Sequence, residues 1–422
     1  MTRPSHARPN VVIVICDDLG YGDLSCNGGT VIATPRLDEL AADGVRATAM
    51  YSGGPTCSPA RAALLTGRVA ARTGVGRVLF PDEDTGLHKD EMTIASYLSR
   101  AGYATGAFGK WHVGQMPARG PLRFGFDHYF GLPFSNDTPP YFLYRNEDVL
   151  EDGPDMSSLT RRYIEEAVEF IDNVPEGQPF FTYIAFTAPH YPLEPDPEFE
   201  GRSAGGPYGD TVESIDHHVG VLRDALEERG ILEDTIFVFT ADHGPWFEGS
   251  TGGMRGRKFE TWEGGTRVPF LASWPRQLPR SGVVNSPLAS VDLLPTICHY
   301  LGLDPDGKPV DGQIIADTLE GREAAEHDPI WYFDGYELNA VRKGKWKLHR
   351  RRQTWGAERF ATMSLPQLFN IEADAGESYD LSKRHPDVVA ELSRLMDQQE
   401  GTIHRSDDDG RLWWLEGNVD AR

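Results

Sequence analysis

The chain alternates between short runs of unbroken apolar residues and longer stretches in which apolar positions recur every three or four residues. The run Val11–Cys16 ("VVIVIC") is apolar throughout, is rich in β-branched side chains, and ends at Asp17 and Asp18. Such a run predicts a strand covered on both faces. "PFFTYIAFTAPH" and "TIFVFTADHG" repeat the pattern further on. Between the strands, "TPRLDELAADG" predicts a short helix with Thr34 as its cap, Pro35 in the first turn and Gly44 as its stop. "TIASYLSRAGY", "LTRRYIEEAVEFIDNV" and "YGDTVESIDHHVGVLRDALEERGI" predict further helices, the second strongly amphipathic and the third long. Strands alternating with helices imply an α/β fold: a large, mostly parallel sheet sandwiched by helices.

The pattern changes near residue 325. "PIWYFDGYELNAVRKGKWKLHRRR" alternates aromatic and charged residues with a period of two, "SLPQLFNIEADAGESYDL" reads as another strand and turn, and "HPDVVAELSRLMDQQEG" as a closing helix. This predicts a smaller C-terminal α+β domain, an antiparallel sheet plus a helix, over 326–422, behind a main domain of 1–325. The Gly/Pro-rich stretches 201–209 and 304–312 read as linkers. Lys343, Lys345 and Lys347 read as solvated strand charges, and Trp413 and Trp414 as packing anchors for the tail.

A length of 422 residues accommodates a large core and a second unit. The net charge of −23 opposes general affinity for nucleic acid or anionic membrane, and no stretch has the length of a membrane span. Neither excludes an anionic substrate, because a few local cations can dominate one pocket. The cysteines Cys16, Cys26, Cys57 and Cys298 lack paired spacing, so neither a disulfide framework nor a cysteine zinc site is expected. The first apolar run is too short for a signal-peptide core, and the expected location is the cytoplasm.

The chemistry gathers where strands end. "VVIVICDD" delivers Asp17 and Asp18; "TIFVFTADHG" delivers Asp242 and His243. Ligands of open α/β sheets bind at the carboxyl ends of strands. An aspartate there often caps the next turn, but capping does not ask for acids at two strand ends. Carboxylates meeting at one edge repel unless a cation lies among them, and oxygen-rich sites suit hard divalent ions. Cys57 precedes "SPARAALLTGR", in which Pro59 fits a first helical turn and the following residues are strong helix formers. The thiol therefore sits at a helix N-terminus, where negative charge is favoured.

Cys57-Ser58-Pro59-Ala60-Arg61, continued as "AALLTGR", resembles the signature of the type I sulfatases of the alkaline phosphatase superfamily. "GKWHVG" (Lys110, His112), "TAPHYP" (His190), "TADHG" and "MRGRKFETWEGGTRVP" (Lys258) are similar to further segments of that family. The resemblance implies hydrolysis of a sulfate monoester by a formylglycine made from Cys57. It implies a metal held by Asp17, Asp18, Cys57 as formylglycine, Asp242 and His243. Calcium is expected, with magnesium or manganese as alternatives because His243 stands where many members have asparagine. It further implies that Arg61 holds the hydrated aldehyde, Lys110 and Lys258 clamp the sulfate, Asp242 and His112 take protons, and His190 protonates the leaving alcohol. Asn136 and Asp137 in "FSND" are candidate substrate contacts, while Trp246, Phe247 and Glu248 read equally as lining of a substrate site or as core or rim residues. The implied partners are a sulfated small molecule or glycan and a formylglycine-generating enzyme. Two rivals are a phosphonate monoester or phosphodiester hydrolase of the same superfamily, and a binding protein with unmodified Cys57.

Overall fold

The computed structural model of the chain describes residues 8–81, 83–323, 326–351 and 364–403. Trp413 and Trp414 lie outside the described residues. The main sheet runs through β1 (Asn10–Cys16), β2 (Val45–Tyr51), β3 (Ala104–Gly109), β4 (His128–Gly131), β5 (Phe142–Arg145), β6 (Asp148–Asp152), β7 (Phe180–Ala185), β8 (Thr235–Ala241), β9 (Arg267–Ser273), β10 (Gly282–Val284) and β11 (Leu288–Ala289). Their order is β10-β2-β9-β8-β1-β7-β3-β4-β5-β6, with β11 beside β2. The central strands β8, β1, β7, β3 and β4 are parallel. Every residue of β1, β7 and β8 is buried, as unbroken apolar runs require.

Helices α1 (Pro35–Asp43), α2 (Cys57–Thr66), α3 (Ile94–Arg100), α4 (Leu159–Asn173), α5 (Gly206–Glu228), α6 (Glu263–Thr266), α7 (Leu293–Tyr300) and α8 (Ala316–Leu319) accompany the sheet. They pack in two groups: α1 and α4 on α5, and α2, α3 and α7 on one another with α8 beside α7. The apolar stripe of α4 is buried through Leu159, Tyr163, Ile164, Ala167 and Ile171, the spacing of one helix face. The 201–209 stretch is not a linker: α5 begins within it, at Gly206, and carries its chain directly into the main core.

Strand β9 departs from the parallel scheme, running antiparallel to both β2 and β8. Parallel return needs a crossover long enough to carry the chain back across the sheet. The segment between β8 and β9 holds only the single turn of α6 and stays at the carboxyl edge, so β9 starts where β8 stopped.

The smaller unit is an antiparallel sheet of β12 (Ile330–Asp334), β13 (Glu337–Lys343), β14 (Trp346–His349) and β15 (Gln367–Asn370), with α9 (Pro386–Glu400) packed on β13 and β14. Leu392 and Met396 of α9 bury against Leu338, Val341, Leu348 and Leu368. Lys347 corrects the sequence reading. It is fully buried, because the opposite face of this sheet lies against the main unit, and it pairs with Glu263 and Glu377. Lys345 is exposed, and Lys343, partly exposed, pairs with Glu391.

Thr34 precedes α1 as expected but does not cap it: its hydroxyl accepts from the Ser25 amide at 2.9 Å. Asp216 of α5 takes over, accepting from the Leu37 amide at 2.8 Å and the Arg36 amide at 3.2 Å. Asp216→Ala should therefore cost about 1–2 kcal/mol, the usual worth of a helix cap, in urea denaturation. Turnover per folded molecule should be unchanged; an unaltered midpoint and slope would contradict this role.

Candidate active site at the carboxyl edge of the sheet

Strand register brings the acids together. Cys16 pairs with Ala241 across β1 and β8, so Asp17 and Asp242 leave the sheet side by side, and the Asp242 amide donates to the Cys16 carbonyl at 3.0 Å. Gly109 pairs with Ala185 across β3 and β7, and the Lys110 amide donates to Ala185 at 2.7 Å. Gly109 has φ +108°, and a Cβ there would come within 1.9 Å of the Ala185 oxygen. Only glycine lets Lys110 leave the strand so closely against β7.

Cys57 is the first residue of α2, following an extended Thr56 whose side chain makes no cap. Its Sγ lies 3.4 Å from His243 Nε2. Asp17, Cys57, Asp242 and His243 each place a donor atom within 4.8 Å of the others; Asp18, Cys57 and His190 form a second such group. Asp18 joins the two, with Oδ1 3.4 Å from His243 Nε2 and Oδ2 3.7 Å from His190 Nε2. All of these side chains are buried.

Cations surround the acids. Lys110 Nζ donates to Asp17 Oδ2 at 2.5 Å, and Lys258 Nζ to both Asp18 oxygens at 2.9 Å. The Arg61 guanidinium forks onto Asp242 Oδ2 at 3.1 and 3.0 Å, donates to the Lys110 carbonyl at 3.0 Å, and approaches Asp17 at 3.5 Å. It is thus spent on fixing Asp242 and the exit of β3, beside the expected role of holding the group at residue 57. Burial alone would raise the Asp17 carboxyl, but Lys110, His190, Arg61 and Lys258 together hold it well below the usual carboxylate range. Asp18 is also lowered against its burial, by Lys258, His190 and His243. Asp242 is raised, burial outweighing the help of His243 and Arg61. Burial would depress His243, but Asp242, Cys57 and Asp18 push it up to about 9.

Three imidazoles have assigned faces. His243 Nδ1–H donates to the Gly244 carbonyl at 2.8 Å and His190 Nδ1–H to the Tyr191 carbonyl at 2.5 Å, turning each Nε2 toward Asp18. His112 Nε2–H donates to the Leu79 carbonyl at 3.0 Å, leaving the buried Nδ1 as a lone pair with no partner among the described residues. Burial and then Lys110 depress His112 well below the usual imidazole range, so this ring stays neutral. The signature helix supports it, since Ser58 Oγ accepts the Leu79 amide at 3.1 Å. Asp18 and His112 both have left-handed backbones, φ 64° and 57°, conformations that non-glycine residues adopt at a cost near functional sites.

The remaining candidates divide. Asn136 is buried, and its Nδ2 donates to the carbonyls of His190 at 3.2 Å and Pro192 at 3.4 Å, so it straps the His190 segment in place. Asp137 is exposed and accepts from the Thr138 hydroxyl at 2.9 Å; none of these contacts brings it to the cluster. Trp246 is half-buried, its ring 6.0 Å from that of Phe259, while Phe247 and Glu248 are exposed. Ser52, which sequence reasoning passed over, donates to the Asp242 carbonyl and braces that strand end. No motif signalled it.

The donor set fits a hard divalent ion. Among the described residues no hydrogen-bond donor reaches the buried Asp17 Oδ1, which has only the Arg61 guanidinium at 3.5 Å and so keeps a lone pair for an ion. Its carboxylates are the ordinary ligands of such an ion, and His243 adds a softer imidazole beside them.

Residues 9–303 match the family model for sulfatases, and 325–412 that for the C-terminal region of aryl-sulfatase. Human arylsulfatase A is 35% identical over 440 residues, covering 92% of this chain and 87% of its own. Mouse N-acetylgalactosamine-6-sulfatase is 34% identical, covering 92% and 84%. Among solved structures, a Bacteroides thetaiotaomicron protein from work on metabolism of multiple glycosaminoglycans superposes with a TM-score of 0.85 at 27% identity, covering 94% of this chain and 100% of its own.

Replacing Asp17 or Asp18 by asparagine removes one charge and turns a carboxylate ligand into a neutral carbonyl. Each should weaken calcium or magnesium binding at least ~10-fold in titration calorimetry and reduce any rise in thermal midpoint that the ion produces. Affinity equal to the parent's in both variants would remove these residues as ligands.

Proposed function

The chain belongs to the sulfatase family and hydrolyses sulfate esters, and from that premise we propose that its substrate is a sulfated sugar, or secondly an aryl sulfate, attacked by a nucleophile made from Cys57. The observation that carries the reading is the cluster itself: Cys57 at a helix start, within 4.8 Å of Asp17, Asp242 and His243, with Lys110 and Lys258 bonded to the adjoining acids. The relatives' names, one for aryl sulfates and one for a 6-sulfated sugar, support both substrate classes.

Oxidation of Cys57 by a formylglycine-generating enzyme would supply an aldehyde whose hydrate offers a hydroxyl to sulfur. A divalent ion held by Asp17, Asp18, Asp242 and His243, calcium by preference, would supply Lewis-acid stabilisation of sulfuryl charge. The other steps fall to this chain's side chains. Lys110 and Lys258 hold sulfuryl oxygens; each is a buried cation bonded to a carboxylate of the cluster. Asp242, whose burial raises its proton affinity, takes the proton of the attacking hydroxyl at position 57. His190 delivers a proton from Nε2 to the departing alcohol oxygen, its Nδ1 being fixed by the Tyr191 carbonyl. His112, neutral and with a free Nδ1, takes the proton of the second hydroxyl at position 57. Arg61 keeps Asp242 in register throughout.

Among the described residues no helix is long and apolar enough to cross a membrane. We propose the cytoplasm as the location of the protein, a reading that its four free thiols support.

Leaving-group dependence separates these roles. A sugar alcohol needs a proton far more than a nitrophenolate does, so His190→Ala should steepen the dependence of kcat/KM on leaving-group pKa across a series of aryl sulfates. Lys110→Ala should lower all members by a similar factor, because it holds the group common to every substrate. A His190→Ala slope equal to the parent's would move the proton to another donor. Cys57→Ala should abolish sulfate release by folded protein; turnover near the parent's would overturn the nucleophile.

A further inference from the structure

Lys258 rides on the loop between β8 and β9, and the loop is anchored on two sides. Toward the site, the Lys258 amide donates to the Pro245 carbonyl at 3.0 Å and the Phe259 amide to the Pro55 carbonyl at 2.8 Å. Phe259 has φ 73°, left-handed for a bulky residue, and its ring lies 5.8 Å from Lys258 Nζ. The loop closes on itself through the Gly264 amide, which donates to the Arg255 carbonyl at 2.7 Å.

The other side is held by the C-terminal unit. Glu377 Oε2 accepts the Glu263 amide at 2.7 Å, and its carbonyl accepts Arg255 Nη1 at 2.9 Å. Its Oε1 accepts from His349 Nε2 at 2.7 Å and lies 3.2 Å from Lys347 Nζ. Lys347 also donates to Glu263 Oε1 at 3.0 Å, and the Tyr51 hydroxyl to Glu263 Oε2 at 2.6 Å. Trp262, between Arg255 and His349, stacks on both, 3.8 and 3.9 Å away. Glu377, Lys347 and Glu263 are wholly buried. Glu377 has φ 49° although Gly376 stands beside it. A glycine would take that backbone freely; the chain keeps a carboxylate there, aimed at the loop.

We propose that Glu377, fixed by Lys347 and His349, is a positioning residue for Lys258: the C-terminal unit sets where the sulfate-holding lysine stands. The buried charges compensate one another only when loop and sheet are in register, so the second sheet transmits its packing to the active site. This rests on the reading that Lys258 holds the sulfuryl group, and the experiment separates the two.

The test is a double-mutant cycle on matured enzyme with Glu377→Gln and Lys258→Ala, reading kcat/KM for one aryl sulfate and the inhibition constant of inorganic sulfate. Glu377→Gln should lower kcat/KM roughly tenfold or more, as small misplacements of a binding group do, and weaken sulfate inhibition in parallel. In the Lys258→Ala background it should change neither, because the residue through which it acts is gone. A loss that multiplies with that of Lys258→Ala, at equal folded fraction, assigns Glu377 a merely structural role and overturns the proposal. If Lys258→Ala alone leaves both readings at parent values, the reading of Lys258 fails first and the proposal with it. Should Glu377→Gln not fold, His349→Gln, which disturbs only one of the carboxylate's bonds, carries the same cycle with the same two outcomes.

Discussion

Buried like charge at one sheet edge is the constraint on which this structure depends. Asp17, Asp18 and Asp242 are all sequestered from water, and uncompensated carboxylates in such a place cost several kcal/mol each. The fold answers with cations drawn from far along the chain: Arg61 from α2, Lys110 from the end of β3, and Lys258 from the loop before β9. Each must arrive with its own backbone fixed, which explains why glycine at 109 and left-handed backbones at Asp18 and His112 are tolerated. On the proposed function, an anionic substrate entering this edge would meet the same lysines, and a divalent ion the same acids.

The parallel centre of the sheet supplies precision that loops alone would not. Neighbouring strands in register put Asp17 beside Asp242 and Lys110 beside the segment leading to His190. The return strand β9 runs antiparallel because its connection never leaves the edge, and that detour is what carries Lys258 into the site. The second sheet then closes over the detour from outside, burying Lys347 and Glu377 against Glu263.

Much of this was legible in the sequence, for identifiable reasons. Unbroken apolar runs ending in acids marked the central strands and their edge, and proline and strong helix formers after Cys57 marked α2. What stayed illegible depended on distant partners. Thr34 has the chemistry of a cap, but Asp216, far along the chain, supplies the carboxylate. Lys347 alternates like a solvated strand residue, and only the contact between the two sheets buries it. Asn136 and Asp137 are adjacent and similar, yet one straps the His190 segment while the other faces water. Arg61 carries the signature's charge but turns it onto Asp242, a choice set by strand register that no local pattern records.

On the proposed function, Cys57 is the precursor of the nucleophile, and the acids and cations around it serve that one position. Preparations made with graded amounts of a formylglycine-generating enzyme would differ in how much of residue 57 is oxidised, a fraction that mass spectrometry of the peptide carrying it reads directly. Plotted against that fraction, the rate of sulfate release per folded molecule should fall on a straight line through the origin. A rate that does not change with conversion, or that is substantial where the thiol is intact, would contradict the account.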